Sequence, residues 1–313
     1  MTRILITGAS GMIGQALIAL LDQDDQDHVV FATDLRSPRR TGSARWLAMD
    51  VTGGDAARVI AETRPEVVVH LASIVTPPAG TGRDFAFAVD VIGTRNVLEA
   101  ALAANVKRLV VTSSGAAYGY HPDNPVPLRE SDPLRGNPEF AYADHKRQVE
   151  DMLAAARETS PQLEQVILRV GTVLGAGTEN QITALFHKPR LLAVKGSDSP
   201  FVFIWTQDLA RILLRAATEG PTGIFNVAGD GALTVTDLAQ MLDKPVLTLP
   251  PWLLKAALAV GRALKLSQYG PEQVRFLQYR PVLANDALKQ EFGYEPELSS
   301  AEVFALWQKE AGL

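Results

Sequence analysis

Cysteine is absent from the 313-residue sequence, which excludes disulfides, thiolate metal sites and a cysteine nucleophile together. The five histidines show no metal-ligand spacing, so we expect no metal site. The formal net charge is −5 and the basic residues are scattered along the chain, so nothing in the sequence favours nucleic acid or anionic lipid as a ligand. The expected partner is a small-molecule substrate, with no nucleic acid and no membrane.

Long apolar runs are also lacking. Met1–Ile6 leads directly into a strand pattern without a cleavable signal, so we expect a cytoplasmic protein. The most apolar later stretch, Leu247–Leu266, is interrupted by two adjacent prolines and carries Lys255 and Arg262. Because it is too short and too charged to span a bilayer, we interpret it as an amphipathic helix packed on its own domain. A helix lying on a membrane surface is the less favoured interpretation.

Short β-branched runs alternate with helix-length segments through the first 170 residues. The runs are continuously apolar, as expected for strands of a parallel sheet with helices on both faces. The sequence therefore predicts an α/β fold built on a Rossmann-type doubly wound parallel sheet. Its first five strands are expected at Ile4–Ile6, Val29–Thr33, Val67–His70, Leu109–Thr112 and Val166–Leu168.

The alternation loosens after Arg169, and one more strand candidate, Ile224–Val227, is expected to return to the sheet. We predict a dinucleotide-binding domain over residues 1–170 with a returning strand at about 202–228. Residues 171–201 and 229–313 are predicted to form a smaller, mostly helical substrate-binding domain.

Three glycines, Gly8, Gly11 and Gly14, follow the first strand and open the first helix with the spacing G-x-x-G-x-x-G. Glycine permits the turn, lets a pyrophosphate approach the backbone and lets helix and strand pack closely. The helix amino terminus then offers unpaired amides and the positive end of its dipole to phosphates. The predicted pyrophosphate site comprises Gly8, Ser10, Gly11, Met12, Ile13 and Gly14.

Asp34 ends the second strand, about twenty residues past Gly14, where a carboxylate accepts hydrogen bonds from the adenosine ribose. We therefore expect NAD as the cofactor, with Leu35 and Arg36 beside Asp34 in the adenosine site. NADP stays open as the less favoured alternative, since three arginines could offset the repulsion between Asp34 and a 2′-phosphate. These are Arg36, Arg39 and Arg40.

Tyr142 and Lys146 lie at positions i and i+4, on one face of a predicted helix. A free phenol has a pKa near 10, so a phenol acting as a base at neutral pH needs about 4 kcal/mol of preferential stabilisation of its phenolate. A neighbouring ammonium and the nicotinamide ring could supply it. Ser114 ends a predicted strand at the edge where such sheets bind ligands, and its hydroxyl could position a substrate oxygen. Taken singly, the pair could be helix surface and Ser114 a helix cap.

Together these residues resemble the extended branch of the short-chain dehydrogenase/reductase superfamily, of the NAD-dependent epimerase/dehydratase type, over nearly the whole chain. Three further motifs carry the resemblance: His70–Ser73, Gly93–Val97 and Ser113–Gly119. It implies a catalytic group of Ser114, Tyr142 and Lys146, and adenine contacts from Asp50 and Val51. The remaining implied cofactor contacts come from Leu71, Ala72, Ser73, Thr112, Tyr142 and Lys146.

Departures from the family pattern bear on the substrate. Dehydratases carry an Asp-Glu pair where this sequence has Gly115 and Ala116, which disfavours sugar 4,6-dehydration. Phe201 occupies the place of a usual Arg, so one diphosphate anchor is lost, while Arg280 matches a second phosphate contact. Thr172 and Asp90 each stand where Asn is usual. The predicted substrate-binding residues are Ser73, Ser114, Thr172, Phe201 and Arg280.

Aromatic residues of the C-terminal part could line an apolar pocket or simply form its core. These are Phe201, Phe203, Trp205, Trp252, Tyr269 and Tyr279. His145, between the predicted catalytic residues, is expected to point outward.

The leading hypothesis is an NAD-dependent oxidoreductase of epimerase type, acting at a secondary alcohol or ketone carbon of a sugar or nucleotide sugar. The second is a reductase or dehydrogenase of a smaller apolar carbonyl or alcohol, and the third is an NAD-sensing binding protein without catalysis. By resemblance we expect a homodimer, paired through helices at residues 91–104 and 142–156.

Overall fold

The computed structural model describes residues 2–24, 28–37, 42–75, 78, 80–264 and 270–313. Of the residues named above, Met1, Arg39, Arg40, Leu266 and Tyr269 lie outside the described residues. The strands are β1 (Thr2–Thr7), β2 (His28–Asp34), β3 (Arg45–Ala48), β4 (Val67–His70), β5 (Arg108–Ser114), β6 (Glu164–Val170), β7 (Thr172–Leu174), β8 (Leu191–Val194), β9 (Phe203–Trp205), β10 (Gly223–Val227) and β11 (Val246–Leu249).

The helices cover the sheet and build most of the C-terminal part. They are α1 (Met12–Leu21), α2 (Asp55–Thr63), α3 (Arg83–Phe87), α4 (Gly93–Ala103), α5 (Ala141–Thr159), α6 (Gln181–Phe186), α7 (Thr206–Thr218), α8 (Val235–Met241), α9 (Pro251–Ala263), α10 (Gln273–Gln278), α11 (Asp286–Gln290) and α12 (Ser300–Glu310). A π-helical turn over Ala88–Ile92 leads into α4, and a 3₁₀ turn over Gly115–Tyr118 follows β5.

Seven parallel strands form the central sheet in the order β10-β6-β5-β4-β1-β2-β3, which confirms the predicted doubly wound Rossmann-type fold. Strand β10 pairs with β6, so the chain returns to the sheet as expected. Strand β3 was missed because it is a short, largely exposed edge strand without an apolar run. The strand order reverses between β1 and β4, and a crevice for ligands opens there at the carboxyl edge.

The continuously apolar strands arise because both faces of the sheet are covered. In β1, Ile4 and Ile6 pack with Leu17 of α1 and Leu213 of α7. The residue between them, Leu5, packs on the opposite face among residues of α2, α4 and α5. Successive side chains of a strand point to opposite faces, so every residue of such a strand must be apolar. Each core holds one side of the crevice in place.

The C-terminal part combines helices with two small parallel sheets, β8 with β11 and β7 with β9. Phe201 and Phe203 are buried in its core, where they stack on each other and contact Phe186. Trp252, by contrast, is 69% exposed. The division of the chain into two domains stays a prediction. No helix within the described ranges is long and apolar enough to cross a membrane.

Candidate active site

The glycine turn joins β1 to α1 and packs against the end of β4. Gly8 has a φ of +68°, which side-chain-bearing residues rarely adopt, and a Cβ there would lie 2.7 Å from the Ala72 nitrogen. A Cβ on Gly14 would lie 2.6 Å from the Gly8 carbonyl oxygen. The glycines at these two positions are therefore required by close backbone packing.

The amino terminus of α1 is open to an anion. Gly11 occupies the N-cap position and offers no side chain to the first helical amides, and the first turn contains no acidic residue. Unpaired amides and the positive dipole end of a helix attract phosphates. This turn therefore fits the pyrophosphate of a dinucleotide.

Asp34 holds the turn to the end of β2. Its Oδ2 accepts a hydrogen bond from the Ser10 backbone N–H at 3.0 Å, and its Oδ1 accepts one from the Leu35 N–H at 2.7 Å. The carboxylate thus lies at the mouth of the glycine turn, where a ribose would lie. Leu35 and Arg36 are exposed beside it.

The predicted adenine residues lie on the loop after β3. The Asp50 carboxylate accepts hydrogen bonds from the Thr52 N–H at 2.8 Å and the Thr52 hydroxyl at 2.7 Å. The side-chain amide of Asn96 donates to the Val51 carbonyl at 2.8 Å. Asp50 and Val51 are therefore fixed by local contacts that include α4.

A buried histidine ties the ends of β1 and β4 together. His70 lies 2.7 Å from the Thr7 hydroxyl through Nδ1 and 2.9 Å from the Thr94 hydroxyl through Nε2. The Thr7 hydroxyl accepts hydrogen bonds from the N–H groups of Leu71 and Ala72, each at 3.2 Å. Burial, with the nearby charge of Lys146, lowers the pKa of His70 to about 3. His70 is thus neutral at physiological pH and organises the crevice.

A second buried network connects Asp90 with His145. The Asp90 Oδ1 accepts hydrogen bonds from the Ser73 hydroxyl and the Ile74 N–H, both at 2.8 Å, and its Oδ2 lies 3.1 Å from His145 Nδ1. The expectation that His145 points outward is wrong, because its side chain is fully buried between α5 and the π-helical turn. Burial raises the pKa of Asp90, but the hydrogen bond with His145 and the charge of Lys146 outweigh it, so the pKa lies below its ordinary value.

The three predicted catalytic residues lie at the carboxyl edge of the sheet, beside this network. Lys146 Nζ donates to the Thr112 carbonyl at 2.8 Å and lies 5.6 Å from the centre of the Tyr142 ring. The Ser114 hydroxyl accepts a hydrogen bond from the Ala116 N–H at 3.2 Å, so Ser114 also caps the 3₁₀ turn. Ala116 in turn packs in one apolar cluster with Tyr142. One group of adjoining contacts thus includes the phenol, the ammonium and the serine.

An aromatic cluster surrounds Tyr142, and sequence reasoning missed most of it. Its other members are Tyr120, Phe140, Phe276 and Tyr279. The ring of Tyr120 lies edge-on to Phe140 at 4.9 Å and to Phe276 at 5.4 Å, measured between ring centres. Burial raises the pKa of Tyr120, so its hydroxyl stays protonated. The only signal was Tyr279, one of the six candidate pocket aromatics.

Arg280 is buried beside this cluster, and within the described ranges it has no acidic partner. Its guanidinium lies 3.8 Å from the centre of the Phe201 ring and 5.0 Å from that of Phe276, and Nη1 donates to the Ser199 carbonyl at 2.7 Å. In the described part of the chain, Arg280 Nε has no hydrogen-bond partner. Burial lowers the pKa of Arg280 to about 9. Such a group is suited to receive an anion.

The remaining predicted substrate residues are less directly placed. Phe201 belongs to the C-terminal core and reaches the site only through its contact with Arg280. Thr172 lies on β7, where its backbone N–H donates to the Val202 carbonyl at 3.1 Å. A small cavity of about 50 Å³ adjoins Arg280 and is closed mainly by apolar side chains such as Leu191, Phe201 and Leu277. Within the described ranges, no group of three or more His, Asp or Glu side chains could hold a metal ion.

The sequence that forms this site matches the model of a known family. The model of the NAD dependent epimerase/dehydratase family matches residues 4–228. The chain belongs to this family. The epimerase/dehydratase chain resembles the structure of Thermus thermophilus UDP-glucose 4-epimerase with NAD, with a TM-score of 0.74 and 23% identity over 98% of each chain. It also resembles Thermotoga maritima UDP-glucose 4-epimerase with UDP-glucose, with a TM-score of 0.77 and 21% identity over 99% of this chain and 98% of that one.

A relative named as a 3-diazoavenalumate denitrifying reductase, from a Streptomyces species, is 30% identical over 276 residues, which cover 82% of this chain and 86% of the reductase. Membership of the NAD dependent epimerase/dehydratase family makes this chain an NAD-dependent enzyme, and the two solved epimerases share its fold. The glycine turn and Asp34 are arranged as NAD, the cofactor named in the description of this family, requires.

Proposed function

We propose that this enzyme is an epimerase-type oxidoreductase that removes a hydride from a secondary alcohol carbon of a nucleotide sugar and returns it to the opposite face of the ketone. The observation that supports the proposal is that Lys146 lies 5.6 Å from the centre of the Tyr142 ring and donates to the Thr112 carbonyl on β5, the strand that ends at Ser114. The bound NAD supplies the hydride acceptor.

The chain's own residues handle the proton and the oxygen. Tyr142 takes the hydroxyl proton as the carbon–hydrogen bond breaks, and Ser114 holds the same substrate oxygen. Lys146 donates to the Thr112 carbonyl, and this hydrogen bond holds its ammonium 5.6 Å from the centre of the Tyr142 ring. These three roles account for oxidation and, in reverse, for reduction.

A dehydration step is disfavoured by packing as well as by sequence. A Cβ on Gly115 would lie 3.1 Å from Leu283 Cδ2, so a carboxylate side chain at this position would require Leu283 to shift. Ala116 is buried beside it. Neither residue can act as the acid pair that eliminates water in dehydratases.

The substrate class rests on Arg280. A buried guanidinium with an unpaired Nε and no acidic partner in the described ranges suits a phosphate, which accepts several hydrogen bonds. The Thermotoga epimerase, which was solved with UDP-glucose, supports a nucleotide sugar in the same fold. The expected homodimer and cytoplasmic location accompany this proposal.

A second candidate is a reductase or dehydrogenase of a compact apolar carbonyl or alcohol. It is favoured by the aromatic cluster around Tyr142 and by the apolar cavity of about 50 Å³ at Arg280, which is far smaller than a nucleotide requires. The similarity to the Streptomyces reductase supports it. An anionic aromatic compound would satisfy both Arg280 and the aromatic cluster.

Incubation with NAD and a panel of UDP- and dTDP-sugars, or of steroid- and flavonoid-like alcohols, separates the two candidates. We expect a change of sugar stereochemistry without net NADH, whereas net NADH from an apolar alcohol would establish the second candidate instead. Tyr142→Phe should lower either activity by about 10³-fold, because it removes the proton acceptor. The matched variant Tyr279→Phe, in the same cluster, should keep most activity. An active Tyr142→Phe enzyme would refute the mechanism.

A further inference from the structure

Helix α9 leaves a broad apolar surface in solvent. Trp252 is 69% exposed and Val260 58% exposed, and the residue that follows the helix, Leu264, is 63% exposed. Among the residues of α9, only Leu254 is fully buried. Single exposed apolar residues are ordinary on protein surfaces, but a contiguous group on one helix indicates a contact surface.

The exposed residues lie on one side of α9. At about 100° per residue, Trp252, Ala256 and Val260 fall within an arc of roughly 80°. Leu254 and Leu258 lie on the far side, where they pack against Val194 and Val274. The helix is therefore apolar on two opposite faces, of which its own domain covers one.

The charged residues of α9 itself, Lys255 and Arg262, are both basic. The sequence contains no acidic residue between Asp243 and Glu272 but has four cations there: Lys244, Lys255, Arg262 and Lys265. By helical geometry, Lys255 and Arg262 lie between the covered and the exposed face. Arg262 Nη1 lies 3.4 Å from a Glu272 oxygen, which leaves the net charge of α9 and its flanks positive. A partner that matches this face of α9 would therefore have an apolar interior and an anionic surface.

We propose that the exposed face of α9, formed by Trp252, Leu253, Ala256, Val260 and Leu264, docks on an anionic lipid bilayer. The helix would lie in the plane of the interface, with Trp252 among the headgroups and Lys255 and Arg262 facing the lipid phosphates. A second copy of the same face fits less well, because it would bring like charges together. The inference does not depend on the proposed reaction.

The covered face of α9, opposite the docking face, adjoins the candidate substrate site. Leu254 and Leu258 pack in one cluster with Leu192 and Leu277, and those two leucines also line the cavity at Arg280. A protein docked through α9 would therefore hold this cavity close to the bilayer surface. The expectation that α9 packs on its own domain is confirmed by the contacts of Leu254 and Leu258, and the proposal concerns the opposite face of the helix.

Flotation of the full-length protein with vesicles tests the proposal. We expect binding to phosphatidylcholine vesicles that contain about 30% phosphatidylglycerol, much weaker binding to pure phosphatidylcholine, and loss of binding as salt is raised. The double variant Trp252→Ser, Val260→Ser should bind at least about tenfold more weakly, because it removes two apolar side chains from the interface. Lys255→Glu should weaken only binding to the anionic vesicles.

Matched controls use exposed residues elsewhere. Trp46→Ser removes another exposed tryptophan, on β3, and Lys309→Glu reverses an exposed charge on α12; both should bind vesicles like the parent. Absence of vesicle binding, or equal binding by the double variant and the parent, would overturn the proposal. A dimer in sedimentation velocity that only the double variant loses, without lipid binding, would assign the surface to a second copy instead.

Discussion

Two buried charges lie near the candidate active site, and the protein surrounds them differently. On the cofactor side, the Asp90 carboxylate accepts hydrogen bonds from Ser73 and Ile74 and pairs with His145. On the substrate side, Arg280 contacts Ser199 and two aromatic rings, with Nε unpaired in the described chain. A buried charge with a full set of partners holds a structure together, whereas one without a counter-charge is costly unless a ligand completes it. We therefore infer that Asp90 stabilises the fold, whereas Arg280 is available to bind a ligand.

The same contrast holds for the surroundings of the two charges. Around Asp90, the polar contacts continue through His70 to Thr7 and Thr94, so the ends of β1 and β4 have one defined arrangement. Around Arg280, the neighbours are mainly apolar rings, which fix shape without specifying a polar ligand. The cofactor is therefore far better determined than the substrate.

The largest expected effect on stability is at Asp90, the buried charge that has a full set of hydrogen-bond partners. Asp90→Ala leaves the Ser73, Ile74 and His145 groups without their acceptor in a buried site, so it should lower the free energy of unfolding by about 3–5 kcal/mol. Urea denaturation at neutral pH measures this loss. Asp90→Asn keeps one acceptor oxygen for Ser73 and Ile74 and should lose less than half as much. A loss below about 1 kcal/mol in the alanine variant would show that Asp90 does not stabilise the fold more than Arg280 does.

A smaller effect is expected from pH on the same network. The pKa of His70 is about 3 in the folded protein and 6.5 in the unfolded chain. Between these values the unfolded state binds one more proton than the folded state, so stability falls as pH is lowered. The expected slope from His70 is about 1.4 kcal/mol per pH unit below pH 6.

Urea denaturation of the parent and of His70→Gln at pH 6, 5 and 4 isolates the contribution of His70 to the pH dependence of stability. Asp90 contributes in the same direction, because its lowered pKa also favours folding at higher pH, but it is present in both proteins. The difference between the two proteins should therefore shrink as the pH falls. A constant difference across this range would show that His70 takes up a proton in the folded state.

The parts of the site that the sequence predicted are those set by local spacing. The turn of Gly8, Gly11 and Gly14 follows from a strand running into a helix, and Tyr142 with Lys146 follows from the period of a helix. The structure has these elements in the predicted places. The assignment of catalytic and ligand contacts to these residues stays a prediction.

The parts that the sequence did not predict depend on residues far apart in the chain. His145 meets Asp90 across 55 positions, and Arg280 meets Ser199 across 81 positions. No period or motif encodes such a contact, so His145 was wrongly expected at the surface. The short edge strand β3 and the aromatic neighbours of Tyr142 were missed for the same reason, since tertiary packing rather than local pattern defines them.

The smallest effect on stability is expected at Arg280, the buried charge with an unpaired Nε in the described chain. Arg280→Met keeps the apolar stem and removes a guanidinium whose burial is not offset by a carboxylate, so the free energy of unfolding should change by less than about 1 kcal/mol. Binding of UDP, measured by calorimetry in the presence of NAD, should weaken at least about tenfold, because a charge-assisted hydrogen bond is lost. The control is Arg275→Met, close to Arg280 in the chain, which removes a half-exposed arginine paired with Glu139. It should change neither the free energy of unfolding nor the affinity for UDP by much. A loss of stability as large as that of Asp90→Ala would make Arg280 part of the scaffold, and the distinction between the two buried charges would fail.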